Sequence, residues 1–280
     1  MTRPLSIAYA LSSGAARLAR VGVETPRRDA ELLLADLLGF SQAQLAAASE
    51  AQIDDQNAAR FDALLIRREA RIPLAHILGR RAFWRHDFEV TADVLDPRPD
   101  TEALVELALA ESFERVLDLG TGSGAIMLSL IAERPEATGV GTDISASALA
   151  VAERNAAALG VINRVHFVKS DWFGHVDGSY DLIVSNPPYV SELDYAALAP
   201  EVHHEPKIAL TPGGDGLDSY RVIAREAPGY LTPGGRLLVE IGFDQGGAVS
   251  ALFRAAGLDE VTVHPDINGK ERVVSARFVG

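Results

Sequence analysis

The feature that most constrains the fold is a short apolar strand that runs directly into a glycine-rich turn, at Val116–Gly124 with the sequence VLDLGTGSG. Glycines let the chain bend sharply after the strand and let the backbone come close to a ligand. From Glu114 onward, predicted strands and helices alternate along the chain. This alternation is typical of an α/β domain in which a mostly parallel sheet carries helices on both faces.

The predicted elements are short and separated by turn residues. Strands are predicted at Arg115–Leu119, Ala137–Asp143, Val165–Lys169, Asp181–Ser185, Arg236–Ile241, Glu260–His264 and Arg272–Phe278. Helices are predicted at Ser123–Glu133, Ala146–Leu159, Asp218–Ala227 and Gln245–Ala256. Since no helix separates the last two strands, we expect the final strand to run antiparallel at the edge of the sheet.

The first 79 residues carry a helical pattern instead. Thr25-Pro26 is a favourable helix start, an apolar stripe follows it, and Gly39 ends the stripe. We predict a small bundle of four or five short helices over residues 1–79. A connector with an aromatic-rich β-hairpin is predicted for residues 80–100, and the sheet domain for residues 101–280.

The composition excludes several classes of protein. The 280 residues contain no cysteine, which excludes disulfides and thiolate metal sites. No apolar run approaches the roughly 18 residues that a membrane helix needs, and the N-terminus lacks a secretory signal pattern, so a cytoplasmic protein is expected. The net charge of −13 disfavours a duplex-DNA binder. We predict no metal site, because the adjacent His203 and His204 lie in an acidic, solvated stretch.

A carboxylate ends the second predicted strand. Asp143 follows Asp118 by 25 residues, a position from which it can accept hydrogen bonds from ribose hydroxyls in an open α/β sheet. The pattern therefore indicates a cofactor that contains adenosine. Gly120, Gly122 and Ala125 also satisfy the relaxed dinucleotide pattern, so a nicotinamide cofactor is an alternative. A turn needed only for helix–strand packing is another.

Asp171-Trp172 follows the third strand of the sheet domain. The Asp171 carboxylate is placed to accept a hydrogen bond from an adenine amino group. Trp172 is placed to pack on the adenine ring or to line its pocket, although a tryptophan after a strand is more often part of the core.

A proline-stiffened corner follows the fourth strand, at Asn186-Pro187-Pro188-Tyr189. Proline disfavours helical backbone at the preceding residue, so Asn186 is expected to be extended at the strand end. Two successive prolines remove two N–H donors. The corner would present the Asn186 side-chain oxygen and the Pro187 carbonyl as acceptors, with Tyr189 as an aromatic face. Such a corner can hold a planar group that carries an NH2, although most Asn-Pro pairs are only rigid turns.

Taken together, the glycine turn, the acidic strand end and the Asn-Pro-Pro-Tyr corner resemble S-adenosylmethionine-dependent methyltransferases that modify a planar exocyclic nitrogen. The closest resemblance is to the HemK/PrmC family, which methylates glutamine in peptide chain release factors. The resemblance extends over nearly the whole chain. The further motifs that carry it are Pro73-Leu74, Ile77-Leu78-Gly79, Arg98-Pro99-Asp100-Thr101-Glu102, Ser170-Asp171-Trp172-Phe173, Glu205-Pro206, Asp215-Gly216-Leu217-Asp218, Leu231-Thr232-Pro233-Gly234-Gly235 and Glu240-Ile241-Gly242. Departures from the usual family pattern occur at His76, Asp96 and His86-Asp87.

The resemblance implies a Rossmann-like methyltransferase sheet, with a small N-terminal helical bundle that helps to engage the release factor. It also implies roles for the site residues. The methionine end of S-adenosylmethionine would be cradled by Gly120, Thr121, Gly122, Ser123 and Gly124. Asp143 would hold the ribose, and Asp171 with Trp172 would border the adenine.

The substrate glutamine would be held by Asn186, Pro187, Pro188 and Tyr189, with Asn186 also next to the cofactor. Of these, Asn186, Pro187 and Tyr189 are the candidate catalytic residues. Phe83 or Trp84 would close over the cofactor, and Arg98 with Thr101 would brace the entrance.

The implied reaction transfers a methyl group to the amide nitrogen (N5) of the glutamine in a Gly-Gly-Gln loop, leaving S-adenosylhomocysteine. The expected partner is a release factor, with no direct nucleic acid and no membrane, and the expected state is a monomer. The alternative is adenine-N6 methylation of DNA or RNA. It predicts a basic groove and a target-recognition insertion, which the acidic sequence does not suggest. An NAD-dependent oxidoreductase and a non-catalytic binding module are two further alternatives.

Overall fold

The computed structural model describes residues 5–280. These residues form two compact units. One unit contains the described residues up to Gly79 together with Pro200–His204. The other contains Arg80–Ala199 and Glu205–Gly280. By this division the predicted connector, residues 80–100, groups with the sheet.

Within the described residues, the first unit is a bundle of five helices with one pair of very short strands. In chain order these are β1 (Leu5–Ser6), α1 (Ile7–Arg20), α2 (Pro26–Leu38), α3 (Gln42–Ala47), β2 (Gln52–Ile53), α4 (Asp55–Glu69) and α5 (Leu74–Leu78). Leu18, Leu33 and Leu34 are fully buried at the centre of the bundle. The prediction of a helical bundle is confirmed. Thr25 makes no capping bond to the backbone, because its hydroxyl donates to the Asp29 carboxylate instead (2.8 Å).

The second unit starts with a hairpin and continues as an alternation of strands and helices. Its elements are β3 (Arg80–Phe83), β4 (His86–Glu89), α6 (Glu102–Leu109), β5 (Arg115–Leu119), α7 (Ala125–Glu133), β6 (Thr138–Asp143), α8 (Ala146–Ala158), β7 (Val165–Lys169), β8 (Tyr180–Ser185), α9 (Glu192–Tyr195), α10 (Asp218–Glu226), β9 (Leu231–Glu240), α11 (Gly246–Ala255), β10 (Asp259–Pro265) and β11 (Glu271–Arg277). No helix within residues 5–280 has the length and apolar character to cross a membrane.

The sheet has the strand order β10-β11-β9-β8-β5-β6-β7. Its five strands from β9 to β7 are parallel, and β11 is antiparallel to both of its neighbours. The final strand therefore runs antiparallel as predicted, but its predicted place at the edge is wrong, since β10 occupies the edge. Burial explains the order: β11 buries Val273, Val274 and Ala276, whereas every residue of β10 is at least partly exposed.

Side chains of the inner strand β5 are buried on both faces of the sheet. Val116 packs into one hydrophobic cluster, whereas Leu117 and Leu119 pack into the other. Burial on both faces explains why Val116, Leu117 and Leu119 do not alternate with exposed polar residues along this strand. Because the parallel strands share one direction, the segments that follow β5, β6, β7 and β8 meet at one edge, where open α/β sheets bind ligands.

Candidate active site

One cavity lies at the carboxyl edge of the parallel strands, and it measures about 1140 Å³ including its open mouth. Its walls come from the segments that follow four strands: the glycine turn after β5, residues 143–145, residues 170–172, and the corner at Asn186. Phe83 and two irregular segments, 93–98 and 206–209, contribute the remaining sides. The cavity thus brings together the motifs that the sequence separates by up to about 70 residues.

The glycine turn presents backbone to the cavity. Gly120 and Gly122 have φ angles of +70° and +56°, and a Cβ atom at either position would meet nothing within 4 Å. The left-handed backbone favours glycine, and the open space beside it is room for a ligand. Thr121 turns its side chain inward, where its hydroxyl donates to the Asp118 carboxyl (2.7 Å).

Gly124 has a different part in the turn. Its φ is +81°, and a Cβ atom there would lie 2.8 Å from Leu128 Cδ1, one turn along α7. Gly124 therefore lets the helix begin in close contact with the turn. It lies behind the cavity wall, whereas Gly120, Thr121, Gly122 and Ser123 line the cavity.

One carboxyl group lines this corner of the cavity, and a second lies buried beneath the turn. Asp143 accepts N–H bonds from Gly122 (3.0 Å) and Ser145 (2.9 Å), which ties the segment after β6 to the glycine turn. Burial raises the pKa of Asp143, and these N–H donors oppose the rise. Asp118 is fully buried beneath the turn, and its burial raises its pKa to about 7 against the hydrogen bond from Thr121. The Asp143 charge adds to the rise in the pKa of Asp118, so Asp143 is the carboxylate that the cavity presents to a ligand.

Asp171 and Trp172 form the wall after β7. Asp171 is exposed, so its carboxylate is available to a ligand donor. Trp172 is half-buried, packs against the hydrophobic cluster that contains Leu117 and has a left-handed backbone with a φ of +49°. Such strain in a bulky residue is costly and is concentrated at functional sites in general.

The corner after β8 is held from behind by hydrogen bonds. The Asn186 side-chain nitrogen donates to the Thr101 hydroxyl oxygen (3.3 Å), which leaves the amide oxygen as the free acceptor of that side chain. The carbonyls of Pro188 and Tyr189 accept bonds from the Ser219 hydroxyl (2.9 Å) and the Gln245 amide (3.0 Å). The corner is thereby fixed by α10 and by the segment before α11.

Tyr189 turns its phenol away from the cavity. The Tyr189 hydroxyl lies 3.5 Å from the Glu240 carboxylate, and its ring packs against the core. Burial raises the pKa of Tyr189, so the phenol is neutral. Of the four corner residues, Asn186 and Pro188 line the cavity, whereas Pro187 is buried and Tyr189 supports the corner from below.

The sequence did not distinguish between two candidate lining residues, and it did not identify two lining segments. Of the two aromatic candidates, Phe83 lines the cavity, whereas the Trp84 indole N–H donates to Glu133 (3.1 Å). Segments 93–98 and 206–209 carry no regular periodicity. The sequence feature that could have identified these two segments is the pair of motifs that contain Arg98 and Glu205. In the structure one Arg98 nitrogen donates to both Glu205 carboxylate oxygens (2.7 and 2.9 Å).

Asp96 departs from the pattern of the resembled family, and the structure accounts for its polarity. Its carboxylate is buried and lies 3.5 Å from both Arg81 and Arg98. The two cations compensate the buried negative charge at this position.

Comparisons with known proteins match both parts of the chain. A family model described as PrmC N-terminal domain matches residues 9–79, and one described as Methyltransferase small domain matches residues 92–217. Three similar proteins are named release factor glutamine methyltransferase. The protein from Cereibacter sphaeroides is 54% identical over 97% of this chain and 98% of its own. The proteins from Rhodospirillum rubrum and Escherichia coli are 48% and 41% identical, over 95% and 91% of this chain and 83% and 93% of their own.

Two solved structures share the fold at low sequence identity. A methyltransferase from Pyrococcus furiosus has a TM-score of 0.55 at 21% identity and covers 76% of this chain and 98% of its own. The catalytic domain of hMettl16 in complex with MAT2A 3'UTR hairpin 6 has a TM-score of 0.57 at 17% identity, with 80% and 82% covered. At such identities the likeness concerns the fold alone.

Proposed function

The chain belongs to the release factor glutamine methyltransferase family, and we propose that it methylates the side-chain amide nitrogen (N5) of the glutamine in the Gly-Gly-Gln motif of peptide chain release factors. The methyl donor is S-adenosylmethionine. The observation that carries the proposal is the Asn186 amide, whose oxygen is left free in the same cavity as the glycine turn.

The residues present fit S-adenosylmethionine. The open space beside Gly120 and Gly122 gives a cradle that a side chain would fill. The Asp143 carboxylate in the cavity wall suits a ligand that carries ribose hydroxyls and positive charge. When bound, the cofactor supplies an electrophilic methyl group.

Each wall of the cavity is proposed to hold one part of the cofactor. Residues 120–124 would hold the methionine end of the cofactor, with Gly124 acting through the geometry of the turn. Asp143 would hold the ribose, and Asp171 with Trp172 would border the adenine. Asn186 lies at the junction of the cofactor and substrate sites.

The corner orients the substrate amide and stabilises the positive charge that develops on its nitrogen. A glutamine amide nitrogen is a poor nucleophile because its lone pair is delocalised into the carbonyl. In the proposed complex, the Asn186 side-chain oxygen and the Pro187 carbonyl each accept one N–H, which orients the nitrogen. Both oxygens also bind more strongly as positive charge develops on the nitrogen. The nitrogen becomes strongly acidic on methylation and loses its proton to water, so the corner needs no general base.

The protein partner is the release factor, as the names of the relatives support. We propose that the helical domain, residues 1–79, engages it, and that the hairpin connector (80–100) and the methyltransferase domain (101–280) build the site. The enzyme is proposed to act as a cytoplasmic monomer without direct nucleic-acid contact.

The test is incubation with methyl-labelled S-adenosylmethionine and a purified release factor, followed by peptide mass mapping. We expect one added methyl group on the glutamine of the Gly-Gly-Gln peptide. The matched control is a release factor with that glutamine replaced by glutamate. Label on adenine in DNA or RNA added to the reaction, with none on the release factor, would overturn the proposal in favour of adenine-N6 methylation.

A further inference from the structure

A buried asparagine on α8 holds two separate segments of the chain by their main chains. The Asn155 side-chain oxygen accepts a hydrogen bond from the Glu89 main-chain N–H in β4 (2.7 Å). The Asn155 side-chain nitrogen donates to the Glu89 carbonyl (3.1 Å) and to the Ser123 carbonyl in the glycine turn (2.8 Å). Asn155 is 2% exposed, so water does not compete for these bonds. The amide therefore uses both of its N–H groups and its oxygen in main-chain contacts.

Both segments that Asn155 holds belong to walls of the cavity. Ser123 lines the cavity as part of the glycine turn. β4 pairs with β3, which carries the lining residue Phe83, and β4 leads into the lining segment 93–98. Asn155 lies outside the cavity lining. It can therefore act on a ligand only through the walls that it holds.

The glycine turn needs an anchor of this kind. Ser123 lies between Gly122 and Gly124, whose φ angles are +56° and +81°. Glycine opposes rotation of the neighbouring peptide groups less than any other residue. The N–H of the Ser123–Gly124 peptide donates to the Thr121 carbonyl within the turn (2.8 Å), whereas Asn155 directs the carbonyl of the same peptide toward α8. Loss of the Asn155 amide would free that carbonyl to rotate.

The outer edge of β4 needs the same amide. In the described part of the chain the hairpin has two strands, so no strand pairs with β4 on that side. Asn155 gives Glu89 the acceptor and the donor that a neighbouring strand would supply. The adjacent Arg154 pairs with the Glu89 carboxylate (2.8 Å), but both side chains are well exposed, and such pairs contribute little. The buried amide is therefore the stronger polar link between α8 and β4.

We propose that Asn155 is a positioning residue for the cofactor, because its one amide holds the glycine turn and the hairpin together and so sets the affinity for S-adenosylmethionine. Since the two walls share this amide, a ligand that orders the turn also stabilises the hairpin, and the coupling is reciprocal. Asn155 would act on the cofactor site of the proposed function, on which this inference rests, whichever substrate receives the methyl group.

The binding test measures the calorimetric affinity for S-adenosylhomocysteine in Asn155→Leu and Asn155→Asp. Leucine is similar in size and makes none of the three bonds. An ionised aspartate keeps the acceptor for the Glu89 N–H and loses both donors. We expect each variant to weaken the affinity by more than about tenfold. The matched control is Arg154→Met, which removes the exposed ion pair between the same two elements and should change the affinity by less than about threefold.

A second control separates positioning from a general loss of stability. The Arg236 side chain is buried and donates to the carbonyls of Leu107 and Ala108 (3.2 and 2.9 Å), outside the cavity lining. Arg236→Met should lower the free energy of unfolding, as Asn155→Leu does, and keep its affinity. With release factor as substrate, the Asn155 variants should raise KM for S-adenosylmethionine and keep kcat at saturating cofactor within about threefold. An unchanged affinity in Asn155→Leu, or one that falls equally in Arg236→Met, would overturn the inference.

Amide hydrogen exchange tests the coupling without a substrate. Saturating S-adenosylhomocysteine should slow exchange in β3 and β4 of the unmodified protein and of Arg236→Met. In Asn155→Leu, saturated with the same ligand, this protection should be largely lost. Equal protection in Asn155→Leu would overturn the shared anchor, since it would arise from direct contacts such as that of Phe83. A protein that shows the coupling but does not methylate release factor would overturn the proposed function alone.

Discussion

At the residue scale, the side chain that matters most is Asn186. Its nitrogen is bound by Thr101, so its free oxygen is a directed acceptor. We predict that Asn186→Ala lowers kcat by about 100-fold or more, a loss of about 2.7 kcal/mol of transition-state stabilisation. The affinity for S-adenosylhomocysteine, measured by calorimetry, should change little.

The matched control for this substitution is Asn163→Ala, at an exposed position outside the cavity. It should keep full activity. An Asn186→Ala protein whose activity stays within about tenfold of the original, a loss of only about 1.4 kcal/mol, would contradict the acceptor role.

Asp118 makes stability depend on pH. Its pKa rises on folding from 3.8 to about 7 because it is buried. The folded protein therefore holds a proton that the unfolded chain releases, and stability falls as the pH rises from about 4 to about 7, by at most about 1.4 kcal/mol per pH unit. Asp118→Asn cannot ionise, so its free energy of unfolding relative to the original protein should rise between pH 5 and pH 8. An equal difference at both pH values, by urea unfolding, would argue against a buried ionisation.

At the element scale, the glycine turn joins β5 to α7 with left-handed backbone facing an open cavity. Gly122→Ala should cost about 1 kcal/mol in stability from backbone strain, and its methyl group should also weaken S-adenosylhomocysteine binding. The matched control is Gly160→Ala, whose φ is +71° and whose Cβ would likewise meet nothing within 4 Å, outside the cavity lining. It should lose similar stability and keep its affinity. Equal affinities for the two variants in calorimetry would contradict the cradle.

The elements themselves were largely predictable from the sequence. Their apolar periodicity placed the parallel strands within one or two residues, except at the start of β9, where the run Thr232–Gly235 hid the extension of the strand. The place of β11 was not predictable from connectivity alone. The structure places β11 inside the sheet because its side chains are more buried than those of β10.

The site was predictable where a motif follows a strand directly. Gly120, Asp143 and Asn186 line the cavity because the fold carries strand ends to one edge. The part played by Tyr189 was not predictable, because the direction of its ring depends on space near Glu240. The Arg98–Glu205 pair joins residues more than 100 positions apart, and only tertiary packing brings such residues together.

At the scale of the whole molecule, the helical unit includes a segment from far along the chain, Pro200–His204. Arg71 donates two hydrogen bonds to the Glu201 carboxylate (2.7 and 2.6 Å), and Arg68 donates one (3.0 Å). Arg68 also binds Asp29 within the bundle (2.7 Å). No local pattern in the sequence could have shown that this segment belongs to the bundle.

We predict that Glu201→Ala lowers the free energy of unfolding by about 2 kcal/mol, because it leaves two partly buried guanidinium groups without this partner. Denaturant unfolding measures the loss, and the affinity for S-adenosylhomocysteine should not change. The control is Glu192→Ala, which breaks an exposed pair with Lys207 (3.8 Å) and should cost less than about 1 kcal/mol. Equal losses for the two variants would show that the Glu201 ion pairs do not stabilise the bundle.

In the proposed mechanism, the corner at Asn186 holds the substrate amide by its two N–H groups. The most direct test is a crystal structure of the protein with S-adenosylhomocysteine and a peptide that contains Gly-Gly-Gln. We expect the glutamine side-chain nitrogen to lie within hydrogen-bonding distance of both the Asn186 side-chain oxygen and the Pro187 carbonyl. A glutamine bound elsewhere, with the Asn186 oxygen turned toward Thr101, would contradict it.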